Sequence, residues 1–269
     1  MKNNFIESEP VRGIADITYD MWKRGWDEYN GGNVSYLLSD YEVSKIKLDK
    51  SLERNVEIPN MPDNLVGRYI LITASGSHFR TLKDNLRTDI GVVKITEKGY
   101  TIVWGFEENN KPTSEFYLHT LSHSSRLEID PNHKVILHNH ATNIVKLGLV
   151  LEATDKAYTL PLWRVLTEGV YVFNDGIGVV PWQLPGTESI GSATAKKLKT
   201  SRIVVWDSHG VMASGKSYQD CFGLIETVNK AAGIYLDTLT IRKTEGLSDQ
   251  QIKDFAESLG LKAREDIFN

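Results

Sequence analysis

Two histidines, His138 and His140, sit two residues apart at the end of the short apolar run 134–137. In an extended strand that spacing turns both rings to one face. Two imidazoles on one face are two legs of a tetrahedral metal site. His209 closes a second apolar run, 202–207, beside Gly210, where the missing side chain lets a ligand or backbone come close. If the two strands are neighbours, three ring nitrogens converge on one divalent ion and leave a position open for substrate. The competing pair is His119 and His123, whose i,i+4 spacing puts two rings on one helix face. A zincin needs Glu directly after the first histidine, and position 120 is Thr. The plainer reading is that these two simply line the helix. Spacing alone leaves both sets open. His78 and His133 fall in expected loops, which predicts that they are solvated.

Glu115 follows Thr113 and Ser114 at an expected helix start. An acid there complements the helix dipole with no further role, but hydroxyls and free N–H groups at such a start also hold phosphate. Asn30-Gly31-Gly32-Asn33 and Ser75-Gly76 share that anion-friendly character, although each alone reads as a plain turn. Glu168 has nothing local to distinguish it from a surface acid. The six tryptophans fall mostly in apolar elements, so core packing is their default.

These residues need a scaffold. Val11, Ile14, Ala15, Thr18, Met21, Trp22 and Trp26 recur at helical spacing and predict a helix over 10–28, ended by the glycine turn. Strands are expected at 34–38, 65–73, 90–96, 100–104, 134–137, 170–173, 177–180 and 202–207, with mostly loop over 40–64. Helices are expected from Thr113 or Ser114, as N-cap, to about 127, from 141, over 187–199 and 217–243, and from Ser248, where Gln251 completes a capping box. The mixture lacks strict βαβ alternation. It predicts one α/β domain over 1–269, a largely antiparallel central sheet flanked by helices.

Composition narrows the function. The chain has 269 residues, 41% hydrophobic and 25% charged, with a net charge of −4. That is globular composition with no global field for gripping nucleic acid or an anionic membrane. A single cysteine, Cys221, excludes an intrachain disulfide and a cysteine-based zinc knuckle. The first ten residues carry Glu7 and Glu9 and no apolar run, so a signal peptide is not expected there, and no stretch reaches the roughly 18 apolar residues of a membrane span. A soluble, cytoplasmic protein is expected.

The ordered set Trp26-Asp27-Glu28-Tyr29-Asn30-Gly31-Gly32-Asn33, Thr113-Ser114-Glu115, His138-Asn139-His140-Ala141-Thr142-Asn143 and His209-Gly210 resembles the class II aldolase/adducin superfamily from about Val11 to Lys243. The resemblance implies one zinc ion per subunit on His138, His140 and His209, with Glu115 beside it as catalytic carboxylate. It implies a phosphate pocket from Asn30, Asn33, Ser75, Gly76, Thr113 and Ser114. It also implies that Glu168 reaches the active site of a neighbouring subunit in a homotetramer. The implied reaction is aldol cleavage of a sugar 1-phosphate to dihydroxyacetone phosphate and L-lactaldehyde. Breaking a C–C bond beside a ketone leaves charge that must move onto oxygen, and an ion held by three neutral imidazoles keeps its full charge for that task. Other sugar-phosphate lyases, a pentulose-phosphate 4-epimerase or a non-catalytic adducin-like scaffold are the alternatives. Local departures are Ala74, where glycine is usual, His78, and the stretch Arg164-Val165-Leu166.

Overall fold

The computed structural model describes residues 5–47, 53–241 and 246–268. Strands β1 (Asn33–Leu37), β2 (Arg54–Glu57), β3 (Tyr69–Thr73), β4 (Ile90–Thr96), β5 (Gly99–Gly105), β6 (Val135–Asn139), β7 (Ile177–Val180), β8 (Ile203–Trp206) and β9 (Gly210–Gly215) form one sheet in the order β2-β5-β4-β3-β1-β6-β9-β8-β7. Every neighbouring pair is antiparallel except β7 with β8. The expected sheet, largely antiparallel and flanked by helices, is what the chain forms.

Helices are α1 (Glu9–Lys23), α2 (Asp40–Val43), α3 (Leu86–Asp89), α4 (Phe116–Leu127), α5 (Thr142–Leu147), α6 (Asp155–Val165), α7 (Thr167–Val172), α8 (Glu188–Lys197), α9 (Tyr218–Thr238) and α10 (Asp249–Ser258). Strands β1, β6 and β9 are buried at every position, as strands covered on both faces must be. Alternation divides their side chains between two layers. Val34, Val135, Leu137 and Val211 join the α1 and α9 side, where the largest core cluster sits. Ile136 and Met212 face Leu118 of α4 and Ile190 of α8 on the other side. None of the described helices is long and apolar enough to cross a membrane.

Several expectations need correction. The first helix ends at Lys23 rather than 28, because Gly25 turns the chain at φ +68° and Trp26 is buried beyond it. Segment 40–64 contains α2 and edge strand β2, which adds to β5; its residues 48–52 lie outside the described ones. The helix at 113 begins later, with Glu115 as N-cap, and Thr113 Oγ1 accepts from the Glu115 N–H at 3.3 Å. The expected strand at 170–173 lies in and just after α7, where Gly169 lets the Phe173 ring close on its backbone. The helix 217–243 is α9, ending at Thr238; residues 242 and 243 lie outside the described ones. Trp182 is 62% exposed instead of packed in the core.

Candidate metal centre and the loops around it

Because β6 and β9 pair antiparallel, His138 lies opposite Met212, and Asn139 opposite Val211. His140 is one residue past β6, and His209 sits in the tight turn from β8 to β9, next to Ser208 at φ +56°. The turn therefore lands beside the end of β6. One ligand atom from each of His138, His140 and His209 lies within 4.8 Å of the others. Among the described residues no other three donors gather in this way. Gly210 is required by the closeness: a Cβ there would lie 2.6 Å from the Asn139 carbonyl oxygen and within 3.0 Å of both His138 and His140 rings.

Hydrogen bonds aim the rings. His138 Nδ1–H donates to the Val211 carbonyl oxygen at 3.0 Å, which leaves Nε2 with its lone pair. His140 Nδ1 meets the Glu28 carboxylate at 2.6 Å, which likewise leaves Nε2 free. That Nε2 is buried, with no hydrogen-bond partner among the described residues, and His209 Nδ1 is in the same condition. Burial first, then the other histidines, holds the His138 ring well below its usual pKa, and burial followed by His140 brings His209 down to about 4. Bare nitrogens aimed at one point, on His138 and His209 rings that burial keeps neutral at pH 7 and on the His140 ring beside them, fit a divalent ion.

Glu115 is buried beside them, its Oε2 3.8 Å from His138 Nε2. It accepts from Asn33 Nδ2 at 2.9 Å. Burial raises its pKa, and the Asn33 bond and His140 partly offset that. Asn33 is placed here by register, since it pairs with His138 across β1 and β6.

The three expected anion-binding loops meet at this end of the sheet. Thr113 N–H donates to Thr73 O at 3.0 Å, and Ser75 N–H to Lys111 O at 2.9 Å. Thr73 Oγ1 accepts from Val34 N–H at 3.1 Å, and Asn33 Nδ2 also reaches Thr113 Oγ1 at 3.4 Å. Asn30, Gly76 and Ser114 are exposed, Ser75 is half-buried, and Thr113 is buried. The Asn33 amide is engaged by Glu115 and His119. Glu168 is exposed in the first turn of α7, an element that contributes nothing to the histidine cluster of its own chain.

His119 and His123 are fully buried on α4 and lie outside the cluster. His133, expected in solvent, is only 3% exposed because it packs on His123. His78 is exposed. The sequence reading missed Glu28 and Ser35. Glu28 lies within the quoted segment Trp26–Asn33, yet only the pairing of β1 with β6 brings that segment to His140.

The family model for the class II aldolase and adducin N-terminal domain matches residues 12–236. A rhamnulose-1-phosphate aldolase of Mannheimia succiniciproducens is 40% identical over 96% of this chain and 97% of its own. One from Listeria innocua is 36% identical over the whole of both chains. A crystal structure of a sugar-phosphate aldolase from Thermotoga maritima superposes with a TM-score of 0.74 at 29% identity, covering 88% of this chain and 97% of that one. The geometry of the histidine cluster and these full-length matches agree, and the chain belongs to the class II aldolase and adducin family.

Proposed function

We propose that this protein is a zinc-dependent aldolase that reversibly cleaves L-rhamnulose 1-phosphate to dihydroxyacetone phosphate and L-lactaldehyde, a cytoplasmic step of L-rhamnose breakdown. The observation that carries the reading is the cluster of His138, His140 and His209 with the buried Glu115 carboxylate 3.8 Å from His138. Relatives named for this reaction match the chain from end to end and support the choice of substrate.

His138, His140 and His209 would hold one ion per subunit; three neutral nitrogen donors with an open fourth position suit catalytic zinc. When bound, the ion supplies Lewis-acid polarisation of substrate oxygens. Glu115 exchanges the proton at the dihydroxyacetone-phosphate carbon, a task helped by a carboxyl whose pKa burial has raised toward the working pH. Asn30, Ser75, Gly76, Thr113 and Ser114 hold the phosphate, so that binding energy far from the reacting bond orients it. Asn33 belongs to the same pocket and acts chiefly by holding Glu115.

Glu168 of a neighbouring subunit in a homotetramer takes the proton of the C4 hydroxyl. Support for a covering neighbour comes from Leu149 and Trp182, which are 82% and 62% exposed. Both leave the chain near the Asp207-Ser208 turn: Gly148 packs against it, and Asp207 N–H donates to Val180 O at 3.0 Å. Apolar surface at that corner is what a subunit contact buries.

Cleavage of L-rhamnulose 1-phosphate, followed by coupled reduction of dihydroxyacetone phosphate, is the test. Activity should stop with chelator and return with zinc, and L-fuculose 1-phosphate should react more slowly. Faster cleavage of the fuculose ester would reassign the substrate. A zinc-loaded protein that cleaves neither sugar would point to an epimerase, and a protein with neither metal nor activity to a scaffold.

A further inference from the structure

We propose that a buried chain of hydrogen bonds from His133 through His123, Ser35 and His119 to Asn33 positions the Glu115 carboxylate, and that Ser35 is the link on which it depends. The proposal rests on the reading of Glu115 as the group that exchanges the substrate proton. All six residues are buried, with His119, His123 and Ser35 fully so.

The direction of the chain follows from its last acceptor. Asn33 Nδ2 donates to Glu115 Oε2 at 2.9 Å, so Asn33 Oδ1 faces the other way and must accept. His119 Nε2 lies 2.5 Å from that oxygen and therefore carries the proton. Burial brings His119 down to about pKa 3, so the ring is neutral and its Nδ1 is bare. Ser35 Oγ, 2.6 Å away, donates to it. The same hydroxyl then has only lone pairs left for His123 Nε2 at 2.8 Å, which must be N–H. His123 is also neutral, and its Nδ1 accepts from His133 Nε2–H at 3.0 Å. The remaining atom, His133 Nδ1, has no partner among the described residues and is a bare nitrogen rather than an orphaned N–H. Each donor thus points toward Glu115. Hydrogen bonds aligned head to tail polarise one another in a low-dielectric interior, and here they fix which way the Asn33 amide is turned.

A hydroxyl is the link that can donate to one ring and accept from the other. Ser35→Ala leaves two ring nitrogens without the atom that orders them, and Ser35→Thr restores it. In zinc-loaded protein, Ser35→Ala is expected to lower kcat roughly 10- to 100-fold through misplacement of the carboxylate. KM and zinc content should stay near wild type, and Ser35→Thr should recover most of the loss. In 15N-histidine-labelled wild type, His119, His123 and His133 should each be neutral Nε2–H tautomers at pH 7. Wild-type kcat in a folded Ser35→Ala, or an Nδ1–H tautomer at His119, overturns the chain. If Ser35→Ala does not fold, the tautomers of the wild type decide. Glu115→Ala separates the two readings. Unchanged turnover there removes Glu115 from the reaction and this proposal with it. Lost turnover there beside wild-type kcat in Ser35→Ala removes the chain alone.

Discussion

The three clustered histidines are aimed by different means. His138 is held by a backbone carbonyl that no substitution can delete, whereas His140 depends on a side chain, Glu28, with 72% of its own surface exposed. A carboxylate this exposed adds little to folding through its contact with the ring, so its effect is on where Nε2 points. Outer partners of metal-bound histidines typically change affinity about 10- to 100-fold. Glu28→Ala should therefore weaken metal binding by about that factor in a chelator competition. Its metal-free unfolding free energy should stay within about 0.5 kcal/mol of wild type. Equal affinity in the two proteins would show that the close contact of Gly31 with the His140 ring already fixes it. Asp27, one residue earlier, is a different case: burial and then Glu28 push its carboxyl up to about 7.

At the scale of elements, the site is a match of periods. Asn33 and Ser35 are two apart on β1, about 6.6 Å along a strand. His119 and His123 are four apart on α4, about 6 Å along a helix. A strand face and a helix face with those repeats can interdigitate, and here Ser35 meets both rings. The sequence made half of this legible. The His-x-His spacing at a strand end, the successive strands expected at 90–96 and 100–104, which are β4 and β5, and the Ser248 capping box are local signals, and they are found where the spacing puts them. Strand β9 is absent from that reading because Gly-Val-Met-Ala-Ser-Gly has weak strand propensity. It is a strand because β6 and β8 pair with it on both sides. The short apolar run at 170–173 failed in the opposite sense, since its period fits strand or buried helix equally. Register is the hidden variable, and Gly210 tests it. Gly210→Ala places a Cβ against the Asn139 carbonyl oxygen and two rings. It should destabilise the fold by about 1–3 kcal/mol and lower metal occupancy. A variant with the melting temperature and metal content of wild type would show that the turn can yield.

For the molecule as a whole, burying so many neutral imidazoles sets its response to acid. Burial brings His119 and His133 down to about 3, and burial, then His133 and His119, holds His123 well below its usual value. In the unfolded chain a histidine titrates near about 6.5. Below that pH the unfolded state binds protons that the native state refuses, so stability rises with pH through this window and falls as acid is added. Each such histidine costs about 1.4 kcal/mol per pH unit, hence about 2 kcal/mol between pH 6.5 and 5. Three together approach the roughly 5–15 kcal/mol that holds a typical domain together. Asp27 has the opposite sign, because its raised pKa gives stability that is full below about 4 and lost as pH rises toward 7. Asp89 and Glu115, also raised by burial, share that sign, but His138 and His209 join the three rings, so five lowered histidines stand against three raised acids. Urea unfolding of chelator-treated protein should therefore give a free energy that falls steeply from pH 6.5 to 5. His133→Gln should reduce that slope by about 1.4 kcal/mol per pH unit. An unchanged slope in His133→Gln would mean that the native protein protonates His133 as readily as the unfolded chain does, and the buried, neutral chain behind Glu115 could not then persist in mild acid.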